Sequence, residues 1–364
     1  MSAAISGISA VAICRIGVSW RRGFEIQLPP QSIAVVLVAA WGFLQIALKT
    51  TVAPQLTMES ALVWGMSGVA FLLGSQILRA QEARKFFLLL LLWSLTALAV
   101  IAMLQFYSTP VRVFGLFEAP ESVVGTFIYR NQFAALMELA APIALWYMVE
   151  SNALAGGLAY AMILAAVITA ASRAGFVLVC AELGVFLAMV GFSRRREARA
   201  ILAVFAGVAT LVTLAAIIAG TDRLQQRFED KDPYVMRREL VQAVKVLTQE
   251  RPWAGHGMGT WRTIYPHVAE FDAAMIANEA HNDLGQWAAE GGVPFLLTML
   301  LLVAWIGLPA IRSIWGLGFL SVMAHSYVDF PLREPALCFL WFALAGAVTQ
   351  EKRQSRERRS REKN

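Results

Sequence analysis

Four short stretches gather polar and ionisable residues in a chain that is otherwise mostly apolar. Ser172-Arg173-Ala174-Gly175 interrupts an apolar run that extends from 155 to 192. An arginine placed there needs water or an anion: guanidinium recognises phosphate oxygens with paired donors, and contact with lipid headgroups at a turn is the simpler alternative. Arg237-Arg238-Glu239 opens an amphipathic pattern. Cations near a helix N-terminus oppose its dipole, and an anion held between them and the backbone N–H groups offsets that cost, with Glu239 as a partial counter-charge. Glu279-Ala280-His281-Asn282-Asp283 surrounds one of the four histidines with polar neighbours. An imidazole in that setting takes a proton from a hydroxyl near neutral pH, or simply hydrogen-bonds at a helix start. In Gly125-Thr126-Phe127-Ile128-Tyr129-Arg130-Asn131, the last two residues sit at the mouth of an apolar run. They contact substrate there, or else Arg130 snorkels and Asn131 caps.

Other features carry less chemistry. Gly255-His256-Gly257-Met258-Gly259 follows no strand and is no dinucleotide fingerprint, although glycines allow a ligand close to the backbone. Trp253, Trp261 and Trp287 suit lipid packing at an interface better than stacking on sugar rings. His256 and His267 read as loop residues and His325 as a helix residue near the outer face. No His-Glu-x-x-His or Cys-x-x-Cys pairing supports zinc, and no acidic cluster supports magnesium, so neither a metal nor another cofactor is expected. Cys14, Cys180 and Cys338 each lie in apolar runs and read as small buried hydrophobes.

The elements that must position these residues follow from composition. Of 364 residues, 58% are hydrophobic and 15% charged, where soluble domains carry about a quarter charged. This excludes a soluble enzyme, a disordered chain and a disulfide scaffold. The net charge of +6 reads as basic flanks of membrane helices rather than as a nucleic-acid surface. Runs of about 20 apolar residues cross a bilayer as helices. They fall at 32–49, 59–79, 86–106, 131–149, 155–172, 174–192, 200–220, 293–311, 314–330 and 336–349. The expected fold is an all-α polytopic membrane protein with about 10–12 transmembrane helices and a large periplasmic loop containing short helices. The expected organisation is an N-terminal segment 1–31, a membrane region 32–220, a loop 221–292 with an amphipathic helix, further spans in 293–349 and a basic tail 350–364. Residues 2–19, interrupted by Arg15, span the membrane or lie at its surface.

Orientation follows from the basic loops. If each span crosses once, Arg21 and Arg22, the group Arg79, Arg84 and Lys85, the group Arg194 to Arg199, and the tail from Lys352 to Lys363 share one side. That side is the cytoplasm. The segments 107–130 and 221–292 then face outward. In the longer one, Asp232 suits an N-cap and Pro233 the first helical position, and Met236, Leu240, Val244 and Leu247 recur at helical spacing.

Taken in order, the stretches GTFIYRNQFA, SRAG, RRELVQAVKVLTQERPWAGHGMGTW, HNDLGQWAAEGG and HSYVDFPLREPAL resemble the O-antigen ligase and polymerase superfamily of bacterial membrane glycosyltransferases, of GT-C type. The resemblance covers roughly 115 to 349. It implies transfer of a glycan from undecaprenyl pyrophosphate to an acceptor hydroxyl at the periplasmic face of the inner membrane, without a metal. The acceptor would be lipid A-core or a growing glycan, as in lipopolysaccharide or exopolysaccharide biosynthesis, with membrane lipid as a further partner and no nucleic acid. The family's essential histidine falls on His281, and its arginines on Arg173 and Arg237. Arg130, Asn131, Arg238 and Asn282 are the accompanying candidates for substrate binding. The family often has Asn where this chain has Tyr129, which weakens a direct role there. Two other classes fit many spans: a transporter, usually marked by internal repeats and midplane polar groups, and a non-catalytic export component, which would tolerate substitution of these arginines and His281.

Overall fold

The computed structural model describes residues 28–361 except 109, 114, 121–122, 194–205, 208, 211–221, 230–234 and 270–276. The segment 2–19, the span expected at 200–220, the Asp232 cap and the cluster around Arg194 to Arg199 lie wholly or largely outside the described residues. The chain is an all-α membrane protein. Its first helices are α1 (Ser32–Ala47), α2 (Pro54–Ile77) and α3 (Gln81–Phe106), followed by a small hairpin of β1 (Arg112–Val113) and β2 (Phe117–Glu118). Next come α4 (Arg130–Glu150), α5 (Ala153–Thr169) and α6 (Arg173–Ser193). The loop region holds α7 (Asp222–Glu229), α8 (Val235–Glu250) and the single turn α9 (Trp261–Ile264). The chain closes with α10 (Asp283–Ala310), α11 (Leu317–His325) and α12 (Pro335–Arg361). Five of these, α2, α3, α4, α6 and α10, are long and apolar enough to cross a membrane; α1, α5 and the Pro335–Gln350 part of α12 are shorter apolar helices.

Helix α4 forms the centre. Every residue from Gln132 to Leu145 is buried, as expected for a helix apolar on all sides. Pro142 removes one N–H from its ladder, so the Glu138 carbonyl loses its helical donor. Helix α11 crosses at that point: a Cβ on Gly318 would collide with the Glu138 carbonyl. The Glu138 side chain meets His325 at the end of α11, Oε1 to Nδ1 at 2.6 Å, with both groups fully buried.

Two elements depart from the expected spans. The stretch 314–330 supplies only the nine-residue α11, about 13 Å long and under half the hydrocarbon thickness. The chain then turns through 326–334, and irregular backbone buried as Ser326, Asp329, Phe330 and Leu332 are requires partners within the protein. Asp283, fully buried, provides them. Its N–H donates to the carbonyls of Ser326 (2.9 Å) and Asp329 (3.1 Å), and its carboxylate accepts from Ser326 Oγ (3.0 Å) and Leu332 N–H (3.1 Å). Helix α10 runs from 283 but breaks at Gly292, whose φ of 78° and ψ of 171° are not helical. Val293 N–H donates to Pro252 O at 2.8 Å across the break. Helix α10 is therefore two helical segments, 283–291 and 293–310, joined at a kink.

The cavity described below lies where α4 and α6 begin. A smaller cavity of about 210 Å³ at the far end of α4 is lined by Arg84, Lys85, Trp146, Glu150 and Trp315. The 21 residues of α4 separate the two by about 30 Å, the thickness of a hydrocarbon core. The basic turn before α3 and the ionisable cluster before α10 thus occupy opposite ends of the bundle.

Helices α2 and α12 approach through facing glycines. A Cβ on Gly74 would collide with the Ala343 carbonyl, and one on Gly346 with the Phe71 carbonyl. Small residues of this kind let membrane helices pack backbone to backbone. Gly346→Val should destabilise the protein by about 1–3 kcal/mol or more, the cost of overpacking. Gly184→Val on α6, where a Cβ has open space, should leave the thermal unfolding midpoint near that of the wild type. Equal midpoints for both variants would contradict this account of the packing.

Candidate active site

A cavity of about 950 Å³ opens between the starts of α4 and α6, helices α7 and α8, and the segment after α11. Its ionisable lining is Arg130, Arg173, Arg227, Arg237, His281 and Asp329. Arg173, Arg237 and His281, far apart in sequence, thus share one space with Arg130 and Asn131. Arg238 and Asn282 do not line it. Arg238 is exposed on α8, and Asn282 caps α10, its Oδ1 accepting from Gly285 N–H at 2.9 Å.

Each side chain is placed by its local sequence. In Ser172-Arg173-Ala174-Gly175, Ala171 at φ 53° makes the sharp turn between α5 and α6. Ser172 Oγ accepts from Gly175 N–H at 3.3 Å at the start of α6. Gly175 leaves no room for a Cβ against Ala134 of α4, so Arg173 is held at the cavity wall. Its Nη1 donates to the Arg227 carbonyl at 2.7 Å. Asn131 accepts from Ser172 Oγ at 2.9 Å and donates to Asp329 Oδ2. In this structure its amide joins two walls of the cavity.

Asp329 is the residue that sequence reasoning missed. Its side chain is 4% exposed. It accepts from Arg237 Nη2 at 3.3 Å, lies 3.2 Å from His281 Nδ1, and accepts from the Phe330 N–H at 3.0 Å. Burial alone would raise its pKa, but His281, His325 and Arg237 outweigh that and hold it below the ordinary aspartate value. Asp329 is therefore ionised at neutral pH. A carboxylate beside Nδ1 favours the tautomer with the proton there, leaving Nε2 to accept another. His281 has a φ of 50°, unusual for a non-glycine residue, and its ring meets Phe330 edge-on at 4.8 Å. The side chains of Arg237 and His281 stay 28% and 29% exposed, open to the cavity. Arg227 was missed as well: it lies on α7, outside the four polar stretches singled out in the sequence.

Behind the cavity the loop has its own core, in which Leu240, Ala243 and Leu247 of α8 pack on Trp261, Ile264 and Tyr265. The helical spacing of Leu240, Val244 and Leu247 serves this packing. Trp261 and Trp287 are core residues, and only Trp253, at 75% exposed, faces outward. The three glycines of 255–259 all have positive φ, yet their close neighbours are protein: Gly255 meets the Glu290 carbonyl, and Gly257 meets Thr51. The expected approach of backbone to a ligand is an approach of the loop to α10 and to the turn before α2. Glu290, fully buried, fastens that loop. It accepts from Gly259 N–H (2.9 Å), Trp261 N–H (3.0 Å), Gln286 Nε2 (3.0 Å) and the Arg333 guanidinium. Burial opposes the charge on Arg333, but Glu290 and Glu279 more than offset it and raise its pKa. Among the described residues, no group of three His, Cys, Asp or Glu side chains is placed to hold a metal ion.

Residues 158–300 match the family model described as O-antigen ligase. The match runs from α5 into α10 and includes Arg173, Arg237 and His281. Over that segment the chain is similar to the O-antigen ligase family, in agreement with the resemblance of its motifs. No curated protein matches the chain.

Removing Glu290 tests the frame behind the cavity. Glu290→Ala leaves the Arg333 guanidinium and two backbone N–H groups short of an acceptor, and should cost about 3–5 kcal/mol. Thermal unfolding of the purified protein measures this. A midpoint within a degree of the wild type would show that the loop is held by other contacts.

Proposed function

With the similarity of residues 158–300 to the O-antigen ligase family as premise, we propose that this chain is a membrane glycosyltransferase. It transfers a glycan from undecaprenyl pyrophosphate to an acceptor hydroxyl at the periplasmic face of the inner membrane. The observation that carries this reading is the meeting of four arginines with an imidazole–carboxylate pair in one cavity. Guanidinium groups suit a pyrophosphate, because each offers paired donors in a plane. The imidazole–carboxylate pair suits removal of a proton from a hydroxyl. The position of the basic turn before α3, one bilayer thickness away, supports an outward cavity.

In the proposed reaction, Arg130, Arg173, Arg227 and Arg237 surround the pyrophosphate. The acceptor hydroxyl lies against His281 Nε2. As its oxygen bonds to the anomeric carbon, the proton passes to Nε2 and the bond from that carbon to the pyrophosphate oxygen breaks. The leaving lipid pyrophosphate gains negative charge, which the preplaced guanidinium groups stabilise. Asp329 holds the imidazole in orientation and balances its positive charge after proton uptake. The acceptor, either a lipid A-core sugar or a growing lipid-linked glycan, draws on the same donor chemistry.

Purified protein supplied with an undecaprenyl-pyrophosphate oligosaccharide and each acceptor in turn should form the transfer product. Arg173→Ala and His281→Ala should abolish transfer while the protein stays folded by thermal unfolding; wild-type rates in both would sink the assignment. Asp329→Asn should lower kcat by about 10²–10⁴, the usual worth of general-base catalysis. A KM effect without a kcat effect would place Asp329 in donor binding instead. Uptake of substrate into vesicles without glycan transfer would favour a transporter.

A further inference from the structure

The Glu138–His325 pair takes no direct part in the proposed reaction, and neither residue lines the cavity. It is nevertheless one step from Asp329. His325 is the last residue of α11, and its carbonyl accepts from the Val328 and Asp329 N–H groups, each at 2.9 Å. Its side chain meets α4, with Nδ1 2.6 Å from Glu138 Oε1. Helix α4 also reaches Asp329 directly, through the Asn131 amide. Asn131 and Glu138 are seven residues apart, two helical turns, and so lie on one face of α4. The turn that carries Asp329 is thus tied to the central helix at two heights, once at its carboxylate and once at its root.

Stability alone gives little reason for an acid and an imidazole here. Both are fully buried, and Glu138 Oε2 and His325 Nε2 have no hydrogen-bond partner among the described residues. Apolar side chains of similar volume in place of such a pair are often equally stable or more so. A polar contact adds register. Apolar surfaces tolerate small sliding of one helix on another, whereas a hydrogen bond is lost when its atoms separate by about 1 Å. We propose that Glu138 and His325 are positioning residues for glycan transfer. They fix the register of α11 on α4 and so hold Asp329 against His281 Nδ1. The inference rests on the glycosyl-transfer reading and adds to it a requirement that lies outside the cavity.

The test compares variants of the full-length protein in nanodiscs. Glu138→Leu and His325→Leu each strand one buried polar group, and should lower the unfolding midpoint and kcat together. The double variant Glu138→Leu/His325→Leu strands neither. Its midpoint should return toward the wild type, while kcat stays about 10–100-fold down with KM unchanged, as expected when a catalytic group is displaced by about 1 Å. Wild-type kcat in the double variant, or a loss confined to KM, would overturn the proposal. Should the double variant not fold, two conservative variants decide. Glu138→Gln keeps the length and an acceptor but loses the charge, whereas Glu138→Asp keeps the charge but withdraws the carboxylate. Register requires the higher kcat in Glu138→Gln, and the reverse order would reject it. Nitrogen-15 spectra of histidine-labelled protein need no turnover. His281 should hold its proton at Nδ1 in the wild type and in Glu138→Gln, and lose that preference in the double variant or, failing that, in Glu138→Asp. An unchanged His281 tautomer would reject the positioning role whether or not glycan is transferred. A lost preference without any transfer by the wild type would keep the positioning role and reject the glycosyl-transfer reading instead.

Discussion

The Asp329 carboxylate is held away from water by an imidazole, a guanidinium and an amide that come from three other parts of the chain. A buried carboxylate costs several kcal/mol in desolvation unless it is paired and hydrogen-bonded. Here His281, Arg237 and Asn131 supply those partners. The dependence runs in both directions. The carboxylate orients His281 and Arg237, and the hydrogen bonds it receives from them and from Asn131 offset its burial. It can occupy this position because the chain leaves its helical path after α11, and because Asp283 satisfies the backbone and side-chain donors of the turn. The site is therefore built on the buried turn that follows a short helix.

Much of this was legible in the amino-acid sequence. The apolar runs mark α1 to α6 and the apolar Pro335–Gln350 part of α12 to within about five residues, since helices in a bilayer must be apolar along most of their length. The reading that starts a span at 293 agrees with the break at Gly292. Arg173, Arg237 and His281 stand out because polar groups between apolar segments need a reason. Asp329 does not stand out: it lies in a stretch, 314–330, whose apolar content reads as a simple crossing. Composition records how apolar a segment is, and a nine-residue helix followed by a buried turn has the same composition as a full span. Glycine spacing has a similar limit. At 255–259 it signals that something approaches the backbone closely, but Glu290 and Thr51 do so rather than a ligand.

Charge is distributed unevenly along the bundle. At one end Arg79 lies in the turn before α3, and Arg84 and Lys85 lie in the first turns of that helix. The arginines at the other end line the cavity that also holds Asp329 and His281. Cations in the first setting flank apolar helices; those in the second raise the local potential for an anion.

Beneath the cavity, Glu138 and His325 form a fully buried pair drawn from helices 187 residues apart in sequence. Loss of either partner strands the other in a medium that solvates it poorly. Replacement of both by apolar side chains removes that penalty. The two positions are thus a single heritable unit, and related chains should carry the acid and the imidazole together or neither.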